Sequence, residues 1–492
     1  KDMMKKRLIY SSIFILTFIV SVLFSLKTPL KVSASSYNYN DFLNTIEAPE
    51  AMIVKQVIKS GEILNDENEP IEFGLLKDIF VLESETLGTR IYLLDQTKNR
   101  IIVLNENFEY IGKYPNFEIV EGIPANPDFI LNSPSGIHVT EKYIYVADTE
   151  GQRVGVFTHN WGLKKSIKKP DDPTFETVAF KPLKVAVDTN ERIYVVASNI
   201  FEGILDINPD YTFNRYVGSR SAELTFWQRL RSLLFTRAQE SKTGLNLAVT
   251  YNNILVDNGG FIYALSSRNS GKPVQRINYK SDDVLKQNGY GPVVGDYQIY
   301  DQYSEFIDIT IGESESYSIL DRTMGRIFTY DFEGHLLYIS GGANIFQIPE
   351  ALTYFGENLL VVDSSSKSLV ILEPSEFTHQ VNKATAAYYQ NDYVKAAEEW
   401  EKVLTLNTNY LLAYGGIGKA QYRQGKYQEA MENFKLASDI DNYSAAYKEY
   451  RTERLENILP YVIIIGFLGI IAILIRSVYK NLKHAKEEGG DE

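Results

Sequence analysis

Apolar and polar residues alternate in short runs between about residues 70 and 376, and polar turns separate the runs. A period of two is typical of a β-strand that buries one face. Six pairs of runs stand out, at residues 90–104, 143–157, 192–207, 261–277, 316–330 and 358–372. A further short run precedes most pairs, and another follows several. Three to four short strands per unit predict the blades of an all-β, six-bladed β-propeller.

The same residue types recur at the turns of these hairpins: an Asp ends the first strand, and an Arg, preceded by Asn in the first unit, begins the second. The positions are Asp95, Asn99 and Arg100, then Asp148 and Arg153, then Asp321 and Arg326. The pattern resembles NHL repeats, although the third, fourth and sixth units lack part of it. The resemblance implies an NHL-like propeller over residues 35–376. From the residue type alone, we expect the strand-ending carboxylates to accept backbone hydrogen bonds in the turns.

Residues 48–61 form one lone predicted strand that precedes the first complete unit. A propeller whose ring stays open would leave unpaired backbone groups along its terminal strand. We therefore expect this segment to be the closing strand, which completes the sixth blade and joins the two ends of the ring.

A second period, of 34 residues, follows the propeller. Tyr388, Tyr393, Ala396 and Trp400 recur as Tyr422, Tyr427, Ala430 and Phe434. This spacing is the tetratricopeptide (TPR) period, and residues 414–442 resemble TPR repeats. The resemblance implies an all-α module, in which residues 377–457 hold two TPR repeats and a capping helix. Because repeat arrays need three or more units for stability, we expect this pair to pack on the propeller or on a partner.

Two longer apolar segments lie near the ends of the chain, and each has basic residues on its outer side. Residues 458–475 carry no charge and are about long enough to cross a bilayer, so we predict a single transmembrane helix there. Residues 1–34 have a basic start, an apolar stretch and small residues at 32–34, which predicts a signal peptide; an uncleaved anchor is the alternative. Since Lys and Arg favour the cytoplasmic side, residues 476–492 are a predicted cytoplasmic tail, and the domains between the two segments are predicted to be extracytoplasmic.

One insertion interrupts the propeller between the third and fourth blades. Residues 221–242 predict an amphipathic helix with arginines near its apolar face. Its candidate contact residues are Phe226, Trp227, Arg229, Leu230, Arg231, Leu234 and Phe235. Two interpretations stay open: the apolar face packs on the propeller, or the helix rests on the membrane surface or on a membrane protein.

Composition narrows the classes of function. The net charge of −13 argues against binding nucleic acid or another anionic polymer, since such partners need a basic surface. The chain contains no Cys, which excludes disulfides, thiolate metal sites and cysteine nucleophiles. The sequence has no phosphate-binding loop, nucleophile elbow or zinc-protease motif, and no cofactor is predicted.

Three polar residues fall on predicted innermost strands of the blades, where side chains can line the central channel. Asp78 and Asp308 form a pair of carboxylates that could hold a cation. His138 has no second channel-facing His beside it, so a three-His metal site is not expected and the residue is interpreted as structural. These three residues are the candidate metal ligands. Because no recognisable array of Asn or His accompanies the carboxylates, we do not predict catalysis.

Tyrosines are abundant in this chain, and several of them fall in one predicted loop. A Tyr side chain adds a flat apolar surface with a polar tip, which suits recognition of glycans or peptides. Tyr290, Tyr297, Tyr300 and Tyr303 are a candidate binding rim, and simple packing within the loop is the alternative interpretation.

These predictions describe a membrane-anchored, extracytoplasmic binding or scaffold protein that uses its propeller and TPR module for protein–protein interaction. The domain order resembles Gram-positive surface proteins associated with carbohydrate ABC transporters, and the resemblance implies a sugar transporter as the membrane partner. The alternative is an exported propeller lactonase or lyase with a divalent cation bound in the channel. Metal bound to the purified protein would favour that alternative.

Overall fold

The computed structural model describes residues 36–114, 129–198, 200–218, 250–266, 272–297 and 304–488. The predicted signal peptide and the predicted insertion helix at 221–242 therefore lie outside the described residues. A two-stranded antiparallel sheet comes first in the described chain, and its strands are β1 (Tyr37–Tyr39) and β2 (Thr45–Glu47). We refer to residues 37–47 as the N-terminal hairpin.

Six antiparallel sheets follow within the described residues, and they form the six blades of a β-propeller. The strands of blades one to three are β4 (Leu76–Leu82), β5 (Arg90–Asp95), β6 (Arg100–Leu104), β7 (Tyr110–Tyr114), β8 (Pro134–Val139), β9 (Ile144–Asp148), β10 (Arg153–Phe157), β11 (Leu163–Ile167), β12 (Pro182–Val187), β13 (Ile193–Ala197), β14 (Ile204–Ile207) and β15 (Phe213–Val217). The strands of blades four to six are β16 (Tyr251–Val256), β17 (Ile262–Ser266), β18 (Val274–Ile277), β19 (Phe306–Ile311), β20 (Tyr317–Asp321), β21 (Arg326–Tyr330), β22 (Leu336–Gly341), β23 (Pro349–Phe355), β24 (Asn358–Asp363), β25 (Ser368–Pro374) and β3 (Met52–Lys59). The six-bladed, all-β fold predicted from the sequence is thus confirmed.

In the five blades whose outer strand is described, the central strands are more deeply buried than the outer strand, because the faces of each blade pack against neighbouring blades. In blade two, every residue of β9 is buried, whereas the outer strand β11 buries only Ile167. Apolar side chains from both faces of β9 enter two different cores, one with blade one and one with blade three. Burial on both faces explains why the central strands are nearly continuous apolar runs.

The ring closes through the beginning of the described chain. β3 pairs antiparallel with β25, from Met52 opposite Pro374 to Lys59 opposite Ser368. β3 is therefore the fourth strand of blade six, within the segment from which the sequence predicts the closing strand. The pairing covers the backbone edge that β25 would otherwise present to solvent.

The first strand of each blade lines the axis and carries a bulge at the same place. The register shifts between Leu76 and Asp78 in blade one, and the other five blades repeat the shift. The residues directly after the shift are Asp78, Gly136, Lys184, Asn253, Asp308 and Ala351. These six positions are equivalent, and they lie around the channel because neighbouring first strands pack together.

Beyond the blades, the described chain forms a short helix α1 (Thr174–Thr177), a 3₁₀ turn (Glu313–Glu315) and a run of longer helices. These helices are α2 (Glu376–Tyr389), α3 (Tyr393–Leu406), α4 (Leu411–Arg423), α5 (Tyr427–Leu436) and α6 (Ile440–Glu488). Ser375 and Asp392 cap α2 and α3 by accepting backbone N–H groups of the first turn. α4 stops just before Gly425, whose φ of +77° is a conformation that favours glycine.

The helical module, α2 to α5, packs directly on the propeller. Phe377, Trp400 and Tyr410 form one buried cluster with Leu337 and Tyr338 of blade five. The Tyr410 hydroxyl donates to the Leu337 carbonyl oxygen at 2.7 Å, which fixes the contact with a hydrogen bond. The interface meets the expectation that two repeats need support from outside the array.

Two neighbouring glycines of α4 give a matched test of this packing. A Cβ at Gly416 would lie 2.7 Å from ring carbons of the buried Trp400, whereas a Cβ at Gly415 would meet only Ala437 Cβ, at 3.6 Å. We expect Gly416→Ala to lower the free energy of unfolding by about 1–3 kcal/mol through overpacking. Gly415→Ala should raise it by roughly 0.5–1 kcal/mol, because Ala favours the helix. Chemical denaturation of both variants and of the parent measures the free energies of unfolding. Equal changes in the two variants would contradict this packing.

α6 is one continuous helix along its whole length. Its first turns pack on α5 through Tyr443 and Ala446. Residues 451–481 are exposed throughout, and the helix is long and apolar enough to cross a membrane. The capping helix and the predicted transmembrane helix at 458–475 are therefore parts of the same helix. No break separates the part that packs on the helical module from the predicted transmembrane part.

Candidate functional site

A cavity lies where the propeller, the N-terminal hairpin and the helical module meet. Its volume is about 870 Å³, within the range of roughly 300–1,000 Å³ that is typical of ligand pockets. Asn38 and Leu43 of the hairpin line one side, His335 of blade five lines another, and Lys419 of α4 lines a third. We call this site the interdomain cavity, and no single domain could form it.

The N-terminal hairpin is held against the propeller by one buried carboxylate. Asp296 accepts hydrogen bonds from the hydroxyl groups of Tyr37 and Tyr39, the second at 2.7 Å. The other carboxylate oxygen of Asp296 forms an ion pair with Arg326 of blade five, and the Arg326 guanidinium lies 4.7 Å from the centroid of the Tyr37 ring. The hairpin is therefore a well-attached wall of the cavity.

Blade five uses its motif arginine differently from the first two blades. Arg100 pairs with the strand-ending Asp95 of its own blade at 3.2 Å, and blade two has the equivalent pair. In blade five, Arg326 pairs with Asp296 and not with the strand-ending Asp321. The motif alone could not indicate this change, because Asp296 lies 30 residues before Arg326 and in a different loop.

The strand-ending carboxylates hold the backbone where it enters four of the blades. Each accepts a hydrogen bond from a backbone N–H group of the segment that leads into its blade, at 2.6–2.9 Å. These residues are Asp95, Asp148, Asp321 and Asp363. Three of them, Asp95, Asp321 and Asp363, also accept backbone N–H groups of the turn that follows, at 2.8–3.3 Å, which is the predicted role. The bonds to the blade entries were not predicted.

A buried polar turn of blade five meets α4 at the cavity. Asp331 accepts the backbone N–H groups of Glu333 and His335, at 2.9 and 2.8 Å, and lies 2.9 Å from His335 Nδ1. Lys419 reaches the same turn: its Nζ donates to Glu333 Oε2 at 2.8 Å and lies 3.4 Å from His335 Nε2. Burial opposes the charge of Lys419, but Glu333 raises the pKa of its ammonium above the usual value. The cavity wall thus keeps an ammonium beside a carboxylate.

The inner helices α2 and α4 supply an aromatic wall. Tyr388 and Tyr422 are equivalent in the 34-residue period, and both line the cavity beside Trp400. Thr385 and Lys419 occupy another equivalent pair in the lining. The walls therefore combine flat apolar rings with charged and hydroxyl groups, a mixture that orients a ligand as well as burying it.

The loop that contains Tyr290 joins the other walls. The Tyr290 hydroxyl donates to the Ala437 carbonyl oxygen at the end of α5, at 2.5 Å. A Cβ at Gly289 would lie 2.8 Å from the Gly334 carbonyl oxygen, so this approach of the loop to blade five requires glycine. Tyr297, from the same loop region, also lines the cavity.

Two of the four predicted rim tyrosines, Tyr290 and Tyr297, therefore line the interdomain cavity. The other two lie outside the described residues, as do the predicted contact residues of the insertion helix. These residues are Tyr300, Tyr303, Phe226, Trp227, Arg229, Leu230, Arg231, Leu234 and Phe235. Sequence reasoning did not single out Lys419, although its equivalence to Thr385 in the repeat was a usable signal. No repeat or motif in the sequence indicated Glu333 or His335 as lining residues.

The predicted channel residues Asp78 and Asp308 do meet at the axis, and a lysine lies between them. Lys184 Nζ is 2.7 Å from Asp78 Oδ1 and 3.3 Å from Asp308 Oδ1, and Asn253 Nδ2 donates to Asp308 Oδ1 at 2.8 Å. We call these four residues the channel cluster. Burial opposes the charge of Lys184, but the two carboxylates raise the pKa of its ammonium. Sequence reasoning missed Lys184 and Asn253, because only the shared bulge position brings them here.

His138 is a buried residue of blade two near the channel cluster. Its ring packs edge-on against Phe80, with 4.8 Å between the ring centroids. Burial, together with the charge of Lys184, lowers the pKa of His138 to about 3, so its ring is neutral at physiological pH. Within the described part of the chain, no group of three or more His, Asp or Glu side chains is arranged to hold a metal ion.

Comparison with known sequences gives one short match. No protein-family model matches the chain. A curated relative, the small glutamine-rich tetratricopeptide repeat-containing protein 2 of Saccharomyces cerevisiae, is 30% identical over 86 residues. The match covers 18% of this chain and 25% of the yeast protein, so the chain spans about a quarter of that relative's length.

Comparison with solved structures gives longer but distant matches. Virginiamycin B lyase from Staphylococcus aureus is 13% identical, with a TM-score of 0.38 over 67% of this chain and 90% of the lyase. A structural genomics protein of unknown function from Bacteroides thetaiotaomicron is 14% identical, with a TM-score of 0.42 over 68% of this chain and 78% of that protein. The chain is thus similar to a TPR-containing protein over a short stretch and distantly similar to these structures over about two thirds of its length.

Proposed function

We propose that the protein is a membrane-anchored, extracytoplasmic scaffold that binds its partner at the interdomain cavity. The observation that carries this proposal is the construction of the cavity from three parts of the chain, in which hydrogen bonds attach the hairpin and the helical module to the propeller. Asp296 attaches the hairpin, Tyr410 attaches the helical module, and Tyr290 joins the loop to α5. A pocket between domains is a common place for ligand recognition.

The position of α6 supports the same proposal. Asp439 and Ile440 line the cavity, and the helix that begins there continues into the predicted membrane span. At 1.5 Å per residue, the helix rises about 27 Å from Ile440 to residue 458. The cavity would then lie above the bilayer, at the height of the extracellular part of a membrane protein. The basic residues on the outer sides of both apolar segments favour this orientation.

We propose a membrane protein complex as the partner. The resemblance to surface proteins associated with carbohydrate ABC transporters makes a sugar transporter the first complex to test. The predicted insertion helix at 221–242 is a second proposed contact, because aromatic residues such as Trp227 beside arginines favour a membrane or membrane-protein surface.

The lactonase-or-lyase alternative requires a metal ion in the propeller channel. It needs a divalent cation at Asp78 and Asp308, and the Lys184 ammonium holds the position between these carboxylates. The side chains of the channel therefore favour the scaffold over the metal-dependent enzyme.

Co-purification of membrane proteins with the full-length chain, after mild detergent extraction, tests the scaffold proposal. The cavity variant Arg423→Glu/Asp441→Lys reverses two exposed charges of the lining. We expect it to recover about tenfold less partner than the parent, since charged groups at an interface set specificity and on-rate. Quantitative mass spectrometry measures the recovery.

A matched control reverses two exposed charges away from the cavity. Arg451→Glu/Glu453→Lys lies on the free part of α6 and should recover the partner at the parent level. Both variants should keep the melting temperature of the parent. Equal recovery with the cavity variant and the parent would contradict the cavity as the recognition site.

A further inference from the structure

One hydroxyl group in the wall of the interdomain cavity is left without a partner among the described residues. Thr385 on α2 lines the cavity and is 5% exposed, and its Oγ1 is a buried atom that makes no hydrogen bond within the described structure. A helical Thr often bonds its hydroxyl to a backbone carbonyl of the preceding turn, which Thr385 does not do. Since a buried hydroxyl without a partner is costly, this group indicates a ligand or a water molecule inside the cavity.

The charged groups of the inner lining are already engaged with one another. The Lys419 ammonium, at the position equivalent to Thr385 in the next repeat, donates to Glu333 Oε2 at 2.8 Å. Asp331 lies 2.9 Å from His335 Nδ1 and accepts two backbone N–H groups of its own turn. A charged ligand would have to break one of these contacts and leave a partly buried charge unpaired. The inner lining therefore favours a neutral ligand.

The remaining lining groups suit a ligand that carries hydroxyl groups on a ring. Gln287 and Asn288 of the loop wall have exposed side chains, and an amide can both donate to and accept from a hydroxyl. Tyr388 and Tyr422 are half-buried, so part of each ring stays accessible for the C–H face of a sugar ring. The cavity volume of about 870 Å³ is sufficient for a ligand of this kind.

We propose that the inner part of the interdomain cavity binds a neutral oligosaccharide, with Thr385 Oγ1 as a hydrogen-bonding group for a sugar hydroxyl. A sugar ring packs against Tyr388 or Tyr422, and the loop amides bond further hydroxyl groups. The ligand gives Thr385 the partner that the described residues do not supply. The proposal rests on the proposed function for the location of the site. It goes further, because the exposed rim residues Arg423 and Asp441 recognise the protein partner and the inner lining recognises the sugar.

The test titrates the full-length parent with neutral oligosaccharides by isothermal titration calorimetry, in a detergent without a sugar headgroup. Trisaccharides of glucose, xylose, mannose and galactose are the probes, and tripeptides with blocked termini and uncharged side chains are the comparison. At least one trisaccharide should bind saturably. Thr385→Val should weaken that binding about tenfold, since one hydrogen bond is lost. Thr385→Ser keeps the hydroxyl and should bind within about twofold of the parent.

The melting temperature without sugar separates a ligand-binding role of Thr385 from a structural one. Val replaces the unpartnered hydroxyl with a methyl group, so Thr385→Val should melt at or above the temperature of the parent. A lower melting temperature would show that the hydroxyl stabilises the fold, and it would overturn the proposal. Unchanged sugar binding by Thr385→Val would also overturn it, since the hydroxyl would then bond only water.

Recovery of the protein partner distinguishes this proposal from the scaffold function. If none of the trisaccharides binds, or if only the tripeptides bind, the oligosaccharide proposal is overturned. Loss of partner recovery with Arg423→Glu/Asp441→Lys would in that case still support the scaffold. Sugar binding by the parent, together with undiminished partner recovery by that variant, would support the ligand and contradict the cavity rim as the recognition site.

Discussion

Deletion of residues 48–61 from the full-length chain is expected to leave the propeller unfolded at temperatures where the parent is folded. The deletion removes β3, and with it Met52 and Ile58, which are 2% and 4% exposed and enter two different cores. Burial of two such side chains contributes about 3–6 kcal/mol. The loss of the ladder with β25 and the new open edge add to this cost. The total is a large part of the roughly 5–15 kcal/mol by which domains are stable.

Circular dichroism melting and size-exclusion chromatography measure the effect of this deletion. Lys55→Thr/Val57→Thr is the matched control, because both side chains are exposed and the substitution keeps the backbone of β3. The control should melt within a few degrees of the parent and remain monodisperse. A deletion variant that stays monodisperse and melts with the parent would show that the ring closes by another strand.

Trp400→Ala is expected to separate the helical module from the propeller, with a loss of about 3–5 kcal/mol in the stability of the module. Trp400 is 4% exposed and packs beside Tyr410, with 6.2 Å between the ring centroids. Tyr410 in turn packs edge-on against Phe377 at the start of α2. Removal of the indole leaves a void at the centre of this cluster, and two repeats have little stability of their own.

Limited proteolysis of the full-length chain detects this separation. Helices α2 to α5 should become cleavable by the protease, while the six blades should stay resistant to it. Leu436→Ala, at a 56% exposed position of α5, is the control and should keep the parent pattern. An unchanged proteolytic pattern for Trp400→Ala would mean that other contacts hold the module on blade five.

The blades follow from local patterns. Residues 90–104 were predicted as a hairpin, and they form β5 and β6, joined by a tight turn. The predicted alternation is not seen in these strands, which are nearly continuous apolar runs buried on both faces. The turn carboxylate Asp95 accepts the backbone N–H of Lys98, three residues further on, at 3.3 Å, as its residue type suggests. Such features depend on residues that are close in sequence, so a short apolar run and a turn residue are sufficient to predict them.

The channel cluster could be predicted only in part. Asp78 and Asp308 were singled out because each lies on a predicted innermost strand. Lys184 follows Asp78 by 106 residues and precedes Asp308 by 124, and no local pattern connects them. Their meeting depends on the number of blades and on the shared bulge, which are properties of the closed ring.

The six-bladed propeller, the repeated helical hairpins and the apolar helix were all predictable from the sequence, because each comes from a short period or a continuous apolar run. Tyr290 and Tyr297 were also predicted as a binding rim, although the cavity that they line was not. No sequence pattern predicted that the N-terminal hairpin, the turn at 331–335 and Lys419 enclose one cavity, which appears only in the folded chain. Their contacts depend on how the helical module packs on blade five, and the periods that predict each element carry no information about that packing.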